Sequence, residues 1–133
     1  MKANVLFIES IREGELVDLG KIDPIETGVY THVADVEVGD DPCPQDVVWR
    51  IVQNVDSLWV DDPRVSLTPD GEAIRSANHL KTKERISGAK LENTGVRSMM
   101  VGDVVRSGEE LWMCSSFGWK KLTLYGDHYI IED

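Results

Sequence analysis

Residues 97 to 122, RSMMVGDVVRSGEELWMCSSFGWKKL, constrain the fold more than any other stretch of this chain. Two apolar runs, 101–105 and 111–114, flank the polar turn Arg106-Ser107-Gly108-Glu109-Glu110. Apolar runs separated by a short Gly-bearing polar segment fold back as a β-hairpin, and Gly108 is free to take the positive φ that such a turn needs. Gly118, between Phe117 and Trp119, marks a second turn or bulge. Trp112, Phe117 and Trp119 are close together in this ribbon. Large aromatics dominate core energetics, so the ribbon is expected to supply the interior of a small domain.

The rest of the chain adds strands and two helices. Val5-Leu6-Phe7-Ile8 reads as a buried strand, followed by a polar turn at Glu9, Arg12, Glu13 and Gly14 and a weaker strand over 15–22. Asp23-Pro24 and Thr27-Gly28 interrupt regular structure. Residues 29–38 alternate: Tyr30, His32, Ala34, Val36 and Val38 share a face expected to be buried, and Thr31, Asp35 and Glu37 share the wet one, with Val33 the exception. Val48, Ile51, Val52, Val55 and Trp59 recur at helical spacing, with Pro44 in the first turn and Asp46 near the positive end of the dipole. That predicts a main helix over 44–57. Ala73, Ile74, Ala77 and Leu80 predict a second, short helix, and the polar segment 81–95, free of aromatics, is expected to be a mobile loop. Strands over 119–125 and 128–131 meet at Gly126-Asp127. The expected fold is a single α+β domain over 1–133, with a mostly antiparallel, partly barrel-like sheet, one main helix and one short helix.

Charge narrows the function classes. The chain carries 24 acidic and 14 basic residues, net −10. Residues 1–72 hold 16 acidic and 5 basic side chains, whereas 73–133 hold 8 and 9. Such a balance repels phosphate backbones and anionic membranes at a distance, so nucleic acid is an unfavoured partner and a membrane is not expected. No apolar run is long enough to span a bilayer, and residues 1–10 lack the apolar region of a secretion signal, which points to the cytoplasm. Two cysteines, Cys43 and Cys114, are too few for a disulfide scaffold.

Catalytic and metal motifs fare poorly. Gly39-Asp40-Asp41 spells an acidic turn of the kind that holds magnesium in some polymerases, without the rest of such an enzyme, and reads as a solvated strand end. Cys114, Asp127 and His128 would need thiolate and imidazole within hydrogen-bond reach, yet Cys114 sits in an apolar strand. The histidines His32, His79 and His128 lack zinc-ligand spacing with one another or with the cysteines. No catalytic residue, metal or cofactor is therefore expected. The ten carboxylates from Asp35 to Glu72, against only Arg50 and Arg64, could present an acidic face to a protein that grips phosphates. The candidate binding residues are Asp40, Asp41, Asp46, Asp56, Trp59, Asp61 and Asp62. The rival surface is the basic segment 75–90, with Arg75, Lys81, Lys83, Arg85 and Lys90, aided by exposed tryptophans.

The motif Arg97-Ser98-Met99-Met100-Val101-Gly102-Asp103-Val104-Val105, followed by Cys114-Ser115-Ser116-Phe117-Gly118-Trp119, resembles a loose group of small uncharacterised proteins carried by phages and plasmids. Their motif runs Arg-Ser-x-Ser-Val-Gly-Asp-Val-Val; here Met100 stands where the group usually has Ser. Val48-Trp49-Arg50, Gln53 to Asp56 and Trp59 are similar to that group as well. The resemblance implies an accessory protein of a mobile element in the host cytoplasm and supplies no catalytic residue. The physical reading of the motif is structural: Asp103 and Ser98 accept backbone N–H groups and Arg97 pairs with a carboxylate. The expected function is non-enzymatic protein binding, with acidic inhibition of a host nucleic-acid enzyme as its sharpest form. A nucleic-acid-binding module is the alternative.

Overall fold

The computed structural model describes residues 1–8 and 25–132; the turn and strand expected over 9–22, and the Asp23-Pro24 breaker, lie outside the described residues. In chain order the elements are β1 (Lys2–Ile8), β2 (Ile25–Glu26), β3 (Tyr30–Glu37), α1 (Pro44–Ile51), β4 (Val65–Leu67), α2 (Pro69–Arg85), β5 (Val104–Ser107), β6 (Glu110–Ser115), β7 (Gly118–Tyr125) and β8 (His128–Ile131). The strands form one sheet in the order β2-β8-β7-β6-β5-β1-β3-β4, and every neighbouring pair is antiparallel. The α+β class is as the sequence predicts, and among the described residues no helix is long and apolar enough to cross a membrane.

The barrel-like character has a simple cause. The hydrogen-bonded ladder does not close, because β2 pairs with β8 and β3 pairs with β1 and β4. Yet β2 runs into β3 through the single 3-10 turn Thr27–Val29, so covalent chain bridges the gap. The Tyr30 ring on β3 meets Tyr129 on β8 edge-on at 5.4 Å, although four strands stand between them in the sheet. The curled sheet encloses Leu6, Val104, Leu111, Met113, Leu122 and Tyr129. A second core lies outside the curl, where Ala3, Val5, Phe7, Ala34, Val36 and Val105 are roofed by Val48, Ile51, Val52, Trp59, Val96 and Met99.

The hairpin of β5 and β6 forms where expected, with Ser107 opposite Glu110 and Gly108 at φ 61° in the first of the two linking positions. Its tryptophan does not enter the curl. Side chains alternate along a strand; Met113 and Leu111 point inward, so Trp112 between them points out and is only half-buried. Trp119 is likewise half-buried outside, and Phe117, on the turn between β6 and β7, is 99 % exposed. The expectation that the ribbon's aromatics fill the interior is corrected: Leu111, Met113 and Leu122 do so.

A second correction concerns β3. Val5 faces Ala34 but Leu6 faces His32, so Val33 is an extra residue, a β-bulge. The bulge reverses parity beyond it. Tyr30 therefore leaves the face of Ala34 and Val36 and packs inside the curl. The bulge also explains Val33, the one residue that broke the alternation, which is fully buried.

The two helices exchange importance. The expected main helix over 44–57 stops at Ile51, and Val55 is 80 % exposed. Residues 96–99 capture the backbone that would have continued it: Met99 N–H donates to Val52 O at 2.9 Å, Asn54 N–H to Ser98 Oγ at 2.8 Å, and Asn54 Nδ2 to Val96 O at 2.8 Å. The expected short helix instead runs 17 residues through Arg85, so the first part of the mobile loop forecast over 81–95 is helix, and a 3-10 turn follows at Leu91–Asn93. Thr68 caps α2, accepting Gly71 N–H at 3.0 Å, with Pro69 in the first turn. Gly71 is required by contact: a Cβ there would lie 2.0 Å from Val33 O.

The face α2 turns to the protein is polar. Arg75 Nε donates to Thr94 O at 2.7 Å, Asn78 Nδ2 donates to Gly95 O at 3.0 Å, and His79 Nδ1 lies 3.2 Å from Thr94 Oγ1. Ala73, Ala77 and Leu80, the residues that suggested the helix, are exposed; Ile74 alone of that set packs against the core.

Candidate functional site

Residues 97–105 build the seam under α1. Asp103 is fully buried, and Arg97 reaches both its oxygens, Nη1 to Oδ2 at 2.7 Å and Nη2 to Oδ1 at 2.8 Å. The N–H groups of Ile8 and Met100 donate to the same carboxylate at 3.0 and 2.8 Å. Burial pushes the Asp103 carboxyl up, against the pull of Arg97 and those two N–H groups. The Arg97 guanidinium also lies over the Phe7 ring, 4.1 Å from its centre. Trp59 completes the seam. Its Nε1 donates to Val96 O and Arg97 O, each at 2.9 Å, and it is 2 % exposed. Trp59 is therefore removed from the candidate binding residues: its indole is committed to holding residues 96–97.

The remaining candidates fall in three places. Asp40 and Asp41 are exposed on the turn before α1, where Asp41 accepts Cys43 N–H at 2.8 Å. Asp46 is exposed on α1. Asp56, Asp61 and Asp62 lie between α1 and β4. Part of the acidic half is neutralised internally. Arg75 reaches Asp61 at 3.5 Å, and Arg64 grips Asp62 at 2.9 and 3.0 Å, holding its carboxyl below the usual range. The amino terminus of Met1 donates to Glu37 at 2.7 Å and lowers it likewise. Among the described residues Asp40, Asp41, Asp46 and Asp56 have no charged partner.

Asp46 is the candidate that the fold places beside something new. Trp119 Nε1, on β7, donates to Asp46 Oδ1 at 2.8 Å across 73 residues of chain. Asp46, Trp49, Cys114, Ser115, Ser116, Gly118 and Trp119 line a cleft of about 320 Å³ between α1 and the β6–β7 turn. Trp49 is 39 % exposed, and Phe117 at the turn's tip is bare. Cys114 on the cleft's wall is a thiol at neutral pH, because burial, reinforced by Asp103, pushes it up to about 11. The cleft thus offers two tryptophans and a carboxylate, with Phe117 exposed on the turn at its edge, a surface for binding by contact. Sequence spacing gave no sign that Asp46 and Trp119 meet. The exposure of Phe117, expected in the interior, was missed, although its turn, Ser115-Ser116-Phe117-Gly118, carried the signal.

The imagined triad is pulled apart. Cys114 pairs with Trp119, while His128 pairs with Tyr125, six residues further along β7, about 20 Å at the rise of a strand. Among the described residues the ion-pair partner of the His128 ring is Asp127, at 2.7 Å. Among the described residues no three His, Cys, Asp or Glu side chains gather as metal ligands. No family model matches this chain, and comparison with curated proteins and with solved structures gave no match.

Proposed function

We propose that this chain is a non-enzymatic accessory protein that binds another protein through the wall formed by Trp49, Phe117, Trp119 and Asp46. The observation that carries the reading is Phe117, fully exposed beside a tryptophan tied to a surface carboxylate. A solvent-facing Phe gains nothing from folding, whereas aromatics in partly dry pockets are the usual anchors of protein interfaces. Net charge −10 selects a partner with a basic face, and a nucleic-acid enzyme of the host meets that description. The likeness of residues 97–105 to phage and plasmid proteins supports a mobile-element origin and action in the host cytoplasm. The rival nucleic-acid module has less support, because Trp49 and Trp119 lie on α1 and β7, while the basic residues lie on and after α2.

Capture from a host lysate with the immobilised chain tests the chemistry. The expected result is one protein retained at low salt, released by double-stranded DNA and weakened as salt rises. Retention that DNA leaves unchanged would count against a phosphate-gripping partner, and direct binding of DNA by the chain itself would favour the rival.

A further inference from the structure

We infer that the cleft between α2 and residues 93–97 binds a small organic anion of nucleoside monophosphate type. Two cavities, of about 470 and 330 Å³, share the lining residues Asn78, Val96 and Arg97, and so meet along one side of α2. Their sizes fall in the range of small-molecule sites. The larger is mainly apolar, with Phe7, Ile8, Ile74 and Val96 in its wall and Thr31 and Asn78 as polar groups. The smaller is polar and basic, with Lys81, Arg85, Arg97 and Asn93.

The sign of the charge is what singles this place out. In a chain with 24 acidic residues, no described Asp or Glu lines either cavity. Lys81 and Arg85 stand one helical turn apart, where like charges repel, and neither has an ion-pair partner among the described residues. Both side chains are exposed, so they are open to a ligand at the mouth of the smaller cavity. At the junction, Arg97 uses both terminal nitrogens on Asp103, Ser98 O and Ile8 O, while its Nε–H has no partner among the described residues. A phosphate held by Lys81 and Arg85 would place an attached flat base toward the apolar cavity and against the guanidinium plane of Arg97, a surface on which bases stack. The overall negative charge does not forbid this, since fields are screened beyond about 8 Å at physiological salt.

Titration of the full chain with each common nucleoside monophosphate, with adenosine and with inorganic phosphate, followed by NMR shifts, tests the proposal. Saturable binding of at least one nucleotide is expected, with phosphate alone and nucleoside alone each about tenfold weaker or more, as loss of charge-assisted bonds or of the buried body requires. Lys81→Gln/Arg85→Gln should weaken the nucleotide by about tenfold or more, with the melting midpoint lowered by no more than the loss of one helix-end cation requires, and Lys81→Gln alone should weaken it by a smaller factor with the midpoint unchanged. Overturning results are no saturation by any nucleotide at about 10 mM, far weaker than functional ligands, phosphate binding as tightly as the nucleotides, or affinity indifferent to the double substitution.

Discussion

Trp59 and Trp119 each donate an indole hydrogen bond, and there the likeness ends. Trp59 gives its proton to two backbone carbonyls, meets Phe7 edge-on at 5.9 Å and is buried. Trp119 gives its proton to a surface carboxylate and stays half-exposed beside a bare Phe117. Around Trp59 the buried polar groups of the seam have dense partners: Asp103 accepts four hydrogen bonds. A buried carboxylate is tolerated only when its oxygens are so occupied. Around Trp119 one indole hydrogen bond ties β7 to α1, and although part of the ring packs on the core, the rest of its aromatic area remains for a partner. One region spends its chemistry on the fold and the other leaves it available.

The largest test breaks the seam. Asp103→Ala strands Arg97 and the N–H groups of Ile8 and Met100, and is expected to destabilise by about 3–5 kcal/mol, read from urea denaturation. Gly71→Ala comes next, at about 3 kcal/mol, because the new Cβ would strike the Val33 carbonyl, part of a backbone that cannot yield as a side chain would. Trp59→Phe keeps most of the apolar volume but leaves Val96 O and Arg97 O without their indole donor, at about 1–3 kcal/mol. On the other wall Phe117→Ser should change stability by less than about 0.5 kcal/mol. The two thiols sharpen the same contrast: at pH 7.5, a value chosen about three units below where the Cys114 thiol ionises, iodoacetamide should label exposed Cys43 and spare buried Cys114. Mass spectrometry of the labelled peptides decides it.

How much of this could be read in advance follows from what each element rests on. β1 and the β5–β6 hairpin were legible because they bury apolar runs and turn at a glycine. α2 was half-legible: the helix was seen, but beyond Gly71 and Ile74 it docks through Arg75, Asn78 and His79, and hydrophobic periodicity is blind to packing by hydrogen bonds. The better signal was Thr68-Pro69 as cap and first residue, with Asp70 and Glu72 early and Lys83 and Arg85 late. The early end of α1 was hidden, because residues 96–99, remote in sequence, take the backbone groups that would have extended it. The β3 bulge left a trace in Val33, whose meaning depends on a partner strand. Of the site, the acidic residues were visible in composition, and the Asp46–Trp119 meeting was not.

The division between a structural seam and a binding wall is tested most directly by comparing partner capture by wild type and Phe117→Ser at matched thermal stability. Retained protein should fall at least about tenfold for the variant, as truncation of an interface anchor does, while the melting midpoint stays put. Equal capture by the two proteins would contradict the assignment of this wall to binding.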